Sequence, residues 1–188
     1  MPAGWRRDLL PVRVSFSTSR GERVTAEDSA AFWRIARALE RDLDARLFSP
    51  APDPGEEGQG TIHVVVDRTS RDPGFTTASW NATGMIGEAT VFFRSRELLS
   101  DPTVVTHELL HAIGLGHTSS WPSIMNPGGL GTAALTPADV AYAQLLLRML
   151  RVQESNGAPY GVVEAAAGER GGGAPPSLPE ARDRARAP

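Results

Sequence analysis

The apolar and polar positions of the chain predict alternating strands and helices. Val12 to Phe16 (VRVSF) alternates apolar with polar residues, the period of a half-buried strand. Thr25-Ala-Glu-Asp28 then carries a helix N-cap and acidic first-turn residues. Behind it Phe32, Ile35, Leu39, Leu43 and Leu47 recur at spacings of three and four, which predicts one helix over about 26–48, ended by Pro50. Residues 49–60 (SPAPDPGEEGQG) are a loop of Pro, Gly and acids. Thr61 to Asp67 (TIHVVVD) is β-branched and reads as a buried strand, with His63 as a packed strand residue. Residues 68–84 are polar and turn-rich, and read as a long connection of the kind that carries function or moves. Glu88 to Arg94 (EATVFFR) is a further strand. Asp101-Pro102 opens a helix over 101–114, with Asp101 as N-cap and proline in the first turn. Thr136-Pro-Ala-Asp139 repeats that start signal for a helix over 137–151, whose buried stripe is Val140, Ala143, Leu147 and Leu150.

Composition narrows what these elements can do. A chain of 188 residues suits one domain, over 1–152, followed by a tail over 153–188. The tail is rich in Gly, Pro and Ala with few large apolar groups, so it is expected not to offset the entropy of ordering. The net charge of −3 gives no basic patch and hence no case for nucleic acid. No apolar run approaches the ~18 residues that span a bilayer, so no membrane partner is expected. Cysteine is absent, which restricts any zinc site to His, Asp and Glu ligands.

Three of the four histidines fall in one stretch, HELLHAIGLGH, residues 107–117. On a helix, positions i and i+4 share a face, so His107 and His111 can offer two nitrogens to one ion. Glu108 is one residue on, near enough to reach a metal-bound water as a general base. Gly114 can end the helix in a left-handed conformation at little steric cost. The chain can then double back, and His117 can supply a third ligand. Three protein nitrogens leave one position open for water, and that opening separates a catalytic zinc from a structural one. Packing offers no reason to place three imidazoles and a carboxylate along an otherwise apolar helix, where desolvating them costs free energy.

The run His107-Glu108-x-x-His111-x-x-Gly114-x-x-His117, followed by Ser123-Ile-Met-Asn-Pro127, resembles the metzincin clan of zinc endopeptidases, and within it the matrixins and their bacterial relatives. The resemblance implies an α+β zincin: a twisted mixed β-sheet with an active-site helix, a C-terminal helix, and a Met-turn below the zinc. It implies one catalytic zinc on His107, His111 and His117, with Glu108 as catalytic base and Met125 as the apolar floor. It also implies a secreted or extracellular protein, although the opening MPAGWRRDLLPVRV has no signal peptide, and a cytoplasmic location stays open. Two departures bear on mechanism. Asn126 follows the methionine where matrixins usually carry tyrosine, and Pro127 stands where astacin-like and serralysin-like members place a zinc-linked tyrosine. No tyrosine can therefore be assigned to the site from this turn. Calcium, common in the family, has no support here, because Asp67, Asp72, Glu56 and Glu57 read as solvated loop charges.

By position, Glu88 to Phe93 matches the family's exposed edge strand, against which an extended polypeptide substrate would pair by β-augmentation. Gly128-Gly-Leu-Gly131 would wall the pocket for the residue after the scissile bond, with a loose preference for apolar side chains. The chain is expected to act as a monomer. Two other readings stay open: a zinc-binding peptide-recognition module without turnover, and a narrow-specificity zinc amidase.

Overall fold

Four parallel strands and one antiparallel neighbour build the centre of the molecule. The computed structural model describes residues 4–18, 23–52, 60–82, 84–119, 122–126, 134–153 and 163–165. Its strands are β1 (Gly4–Trp5), β2 (Val12–Thr18), β3 (Phe48–Pro50), β4 (Thr61–Val66), β5 (Gly74–Trp80), β6 (Met85–Phe93) and β7 (Val163–Ala165). They form one sheet in the order β3-β2-β4-β6-β5-β7, and β1 pairs with the first residues of β6. β2, β3, β4 and β6 run parallel, whereas β5 is antiparallel to β6 and to β7. The helices are α1 (Ala26–Leu43), α2 (Pro102–Ala112) and α3 (Pro137–Gln153). Short 3-10 turns cover Arg7–Leu9 and Arg96–Ser100.

Helices α1 and α2 pack on one face of this sheet. Phe32, Ala36, Leu39 and Leu43 of α1 and Val105 and Leu109 of α2 share a core with Val14, Ile62, Val64, Val66, Val91 and Phe93 of the strands. The ladder places Val14 beside Ile62 and Ala89, so these alternate residues face the helices together. On the opposite face Ser15 lies beside His63. The Ser15 hydroxyl is 2.9 Å from His63 Nδ1, and His63 Nε2 lies 3.2 Å from a Glu88 carboxylate oxygen, outside hydrogen-bond alignment. His63 is thus a packed strand residue, as its sequence context predicts.

Three expectations need correction. The first helix stops at Leu43, not near 48, because Asp44 adopts a left-handed conformation (φ 50°) and its N–H and that of Ala45 turn back to Arg41 and Glu40 carbonyls. The buried Glu40 carboxylate then accepts the N–H groups of Leu47 and Phe48 at 2.7 and 2.8 Å, and Arg37 pairs with it. Leu47 is buried as its spacing implies, but from an extended segment that leads into β3.

The second correction concerns residues 68–84, where the sequence reads as a connection. They contain β5, Gly74 to Trp80 (GFTTASW), which pairs along β6 with an irregularity at Ser79/Trp80. Only Thr76 of β5 is fully buried, so the strand lacks the apolar alternation that would announce it, and its Thr, Phe and Trp content is the remaining signal. The third follows directly. Glu88–Phe93 is not an edge: β4 pairs with it on one side and β5 on the other. The outward edge belongs to β5. Three tail residues, Val163–Ala165, pair with that edge as β7.

The two later helices begin as predicted. Asp101 accepts the N–H groups of Thr103 and Val104, and Thr136 and Asp139 form a reciprocal capping box. α3 buries Ala143 and Leu146 and rests Val140 and Leu147 against the core; the side chain of Leu150 lies outside the described residues. Among the described residues, no helix is long and apolar enough to cross a membrane.

β1 ties the sheet to the end of α2 through one bond. The buried Trp5 indole N–H donates to the Ala112 carbonyl at 2.7 Å, satisfying an acceptor that the helix end leaves open. Trp5→Phe is expected to lower unfolding stability by about 1–3 kcal/mol, the cost of stranding a buried acceptor. Chemical denaturation checks this, and an unchanged stability would show the bond to be dispensable.

Candidate metal centre

α2 carries His107, Glu108 and His111, and it ends where the sequence places the turn. Gly114 has φ 106°, its N–H returns to the His111 carbonyl at 2.9 Å, and the Leu115 N–H reaches the Leu110 carbonyl at 3.0 Å. This pair of bonds is a Schellman closure with glycine at the left-handed position. Leu110 and Leu115 are both buried, the apolar contact that accompanies such a closure. The reversal brings the exposed His117 back to the helix face that bears His107 and His111.

The three imidazoles converge through one atom each. His107 Nε2 and His111 Nε2 are 3.1 Å apart, His111 Nε2 and His117 Nε2 3.0 Å, and His117 Nε2 and His107 Nε2 3.3 Å. The opposite ring nitrogens of two of them are committed. His107 Nδ1 lies 2.7 Å from the Ile124 carbonyl, and His111 Nδ1 lies 2.7 Å from the Leu115 carbonyl. A carbonyl can only accept, so both Nδ1 atoms carry the proton and both Nε2 atoms present lone pairs. Two lone pairs at this distance repel unless a cation lies between them. Four tetrahedral ligands at about 2.0–2.1 Å from zinc stand about 3.3–3.4 Å apart, close to the spacing seen here. The donor set and its geometry therefore fit one metal ion, with three nitrogens on it. Burial holds the His107 imidazole below its usual range and brings His111 down to about 4, with the neighbouring histidines adding to both. Both rings are neutral at pH 7, the form that binds metal.

Glu108 is buried beside β5. Its carboxylate accepts the Thr76 hydroxyl at 2.8 Å, and the same hydroxyl lies 3.1 Å from the Glu108 carbonyl. Burial pushes the carboxyl up to about 7; the Thr76 bond opposes the rise and Asp72 adds to it. A divalent ion on the adjacent imidazoles would favour the carboxylate again. Gly74 makes room for this side chain: a Cβ there would stand 2.8 Å from Glu108 Cγ and 3.0 Å from its Oε1. Thr76 and Gly74 escape a reading of the sequence, because both lie in a strand whose polar composition looks like loop.

The turn after His117 supports one of the three histidines, His107. Met125 is buried, its N–H donates to Ser123 Oγ at 3.0 Å, and its carbonyl accepts the Thr118 N–H at 3.0 Å. Asp139 at the start of α3 accepts the Ser123 hydroxyl and the Ile124 N–H. Ile124 in turn offers its carbonyl to His107. A chain of hydrogen bonds thus runs from the α3 capping box to the first imidazole. Pro127 and Gly128–Gly131 lie outside the described residues. Of the acidic residues read as loop charges, Asp67 accepts the Thr69 N–H and hydroxyl at 2.9 and 2.6 Å, and Glu56 and Glu57 lie outside the described residues. Among the described residues the three histidines are the one cluster whose ligand atoms could hold a metal ion.

No family model matches the chain, and no curated protein matches it in sequence. Among solved structures, metalloproteinase-II from Bacteroides fragilis aligns with 77% of this chain at 13% identity and a TM-score of 0.44. The aligned part spans 56% of that protein's length. A likeness this distant transfers neither activity nor ligands.

Asp139 provides a test of the supporting network. Burial would raise its carboxyl, but bonds from Ser123, Thr136 and Ile124 outweigh burial and hold it below the ordinary range. A depressed carboxyl stabilises the fold fully above its unfolded value of about 3.9 and loses that contribution as pH falls through the folded value. The stability gap between wild type and Asp139→Asn should therefore be constant from about pH 5 to 8 and shrink below about pH 4. A gap that stays constant below about pH 4 as well would remove Asp139 from this role.

Proposed function

We propose that this chain is a zinc-dependent endopeptidase of metzincin type, with a matrixin-like arrangement of ligands. One observation carries the reading: three histidine Nε2 atoms lie within 3.3 Å of one another, two of them from a helix on which a buried glutamate follows the first ligand. His107, His111 and His117 would hold the ion. A bound zinc supplies Lewis acidity towards a water and towards the scissile carbonyl. Glu108 takes a proton from the attacking water at its carboxylate and passes it to the leaving nitrogen as the C–N bond breaks. The Thr76 hydroxyl and the space above Gly74 fix where that carboxylate sits. Met125, buried in the turn that supports His107 through Ile124, plays the part of the Met-turn residue.

The polypeptide substrate is reassigned from the interior strand β6 to the outer edge of β5. β5 lies against α2, and its Thr76 side chain touches Glu108 itself. An extended peptide pairing there gains main-chain hydrogen bonds close to the proposed base. A peptide-recognition module without turnover is the second reading. The buried Glu108, seated by two residues of β5, counts against it, since a binder has no use for a positioned base.

Zinc-loaded protein is expected to cleave an unstructured protein substrate, and a strong chelator to stop it. Glu108→Ala should lower the rate by about 10²–10⁴-fold while one zinc per chain stays bound. Gly74→Ala, which crowds the same carboxylate, should lower kcat with zinc content unchanged. Wild type that holds one zinc per chain yet cleaves nothing across a broad peptide library would favour the binding module.

A further inference from the structure

β7 stands where the proposed substrate strand would lie. Trp80 is opposite Val163, Ser79 opposite Glu164, and Ala78 opposite Ala165, in antiparallel pairing on the edge of β5 that β6 leaves open. The segment runs from Trp80 towards Ala78, in the direction of Thr76 and Glu108. Among the described residues, Gly74–Thr77 has no partner strand on that outer side. A peptide that pairs along β5 past Thr77 therefore meets Val163–Ala165 first, and both cannot hold the same N–H and C=O groups.

From this geometry we infer that the C-terminal segment Val163–Ala165 is an intramolecular competitor for the groove, a built-in occupant that an incoming polypeptide must displace. The inference rests on the groove assigned to substrate under the proposed function. Main-chain pairing explains why a segment so poor in large apolar residues orders here at all: strand addition draws on backbone groups, and an unpaired edge offers a row of them. Nine residues separate Gln153, the end of α3, from Val163. A tether this short gives the segment an effective concentration on the order of millimolar, enough for a weak strand to occupy the edge. Among the described residues three pairs hold it, so displacement is easy and the block is partial. The expected signature is a raised KM with kcat unchanged.

The test uses the full chain. In an extended strand successive N–H groups point to opposite sides, so the pair Val163→Pro and Glu164→Pro removes at least one donor facing β5 whatever the local ladder. Both parent and Pro variant carry Glu108→Ala, so that nothing is cut. The probe is a labelled synthetic peptide of residues 160–168 (YGVVEAAAG). The Pro variant should bind it about 10-fold more tightly than the parent, because a site occupied about nine-tenths of the time weakens apparent affinity by that factor. Amide exchange gives a second readout that needs no peptide: those amides of Ala78, Ser79 and Trp80 that face β7 and not β6 should be protected in the parent and exchange about 10-fold faster in the Pro variant. Equal exchange at those amides in the two proteins overturns the inference, as does equal peptide affinity. Neither readout needs catalysis. If zinc-loaded wild type cleaves nothing while the Pro variant behaves as expected, the endopeptidase reading falls and the tail contact stands. If wild type cleaves while the Pro pair alters neither exchange nor binding, the tail inference falls alone.

Discussion

Two lone pairs facing each other at hydrogen-bond distance, with no proton between them, set the terms for the rest of this molecule. Their positions are fixed from outside the triad. The carbonyls of Ile124 and Leu115 hold the Nδ1 protons of His107 and His111, so the Nε2 atoms have nothing to share but a cation. Burial keeps both rings neutral and available. The Leu115 carbonyl reaches His111 because Gly114 turns the chain, and the same turn delivers His117. One glycine thus serves the ligand it returns and the orientation of a ligand already in place.

Around this centre the fold acts as a set of clamps. Trp5 of β1 pins the last carbonyl of α2, Asp139 of α3 holds the turn that holds His107, and Thr76 of β5 holds Glu108. Each clamp comes from a different part of the chain: Trp5 donates to a backbone carbonyl, Asp139 accepts a backbone N–H and a hydroxyl, and Thr76 donates to a carboxylate. The arrangement accounts for a buried glutamate on an otherwise apolar helix: it sits against a strand that supplies a hydroxyl and leaves out a side chain at Gly74.

Much of the candidate site was legible in the sequence because its parts lie within eleven consecutive residues. The i, i+4 spacing of His107 and His111 requires only a helix, and Gly114 announces the turn that returns His117. The helix starts at Asp101 and Thr136 were legible for the same local reason, a side chain capping its own neighbours. What escaped was non-local. β5 carries no alternation of apolar and polar residues and is recognised only through its partner β6, which it covers along Glu88–Phe93. Leu47 follows the helical spacing, yet the left-handed Asp44 ends the helix early and Glu40 then captures the Leu47 N–H. The pairing of Val163–Ala165 could not be read from composition, since it depends on an open strand edge elsewhere in the chain.

The convergence of three imidazoles on one ion is the claim on which the function rests. X-ray absorption spectroscopy of the zinc-loaded wild-type protein tests it without any assumption about substrate. The account predicts three imidazole nitrogens and one further light atom at about 2.0–2.1 Å from a single zinc. A first shell with fewer than three imidazoles, or a protein that does not retain one zinc per chain, would contradict it.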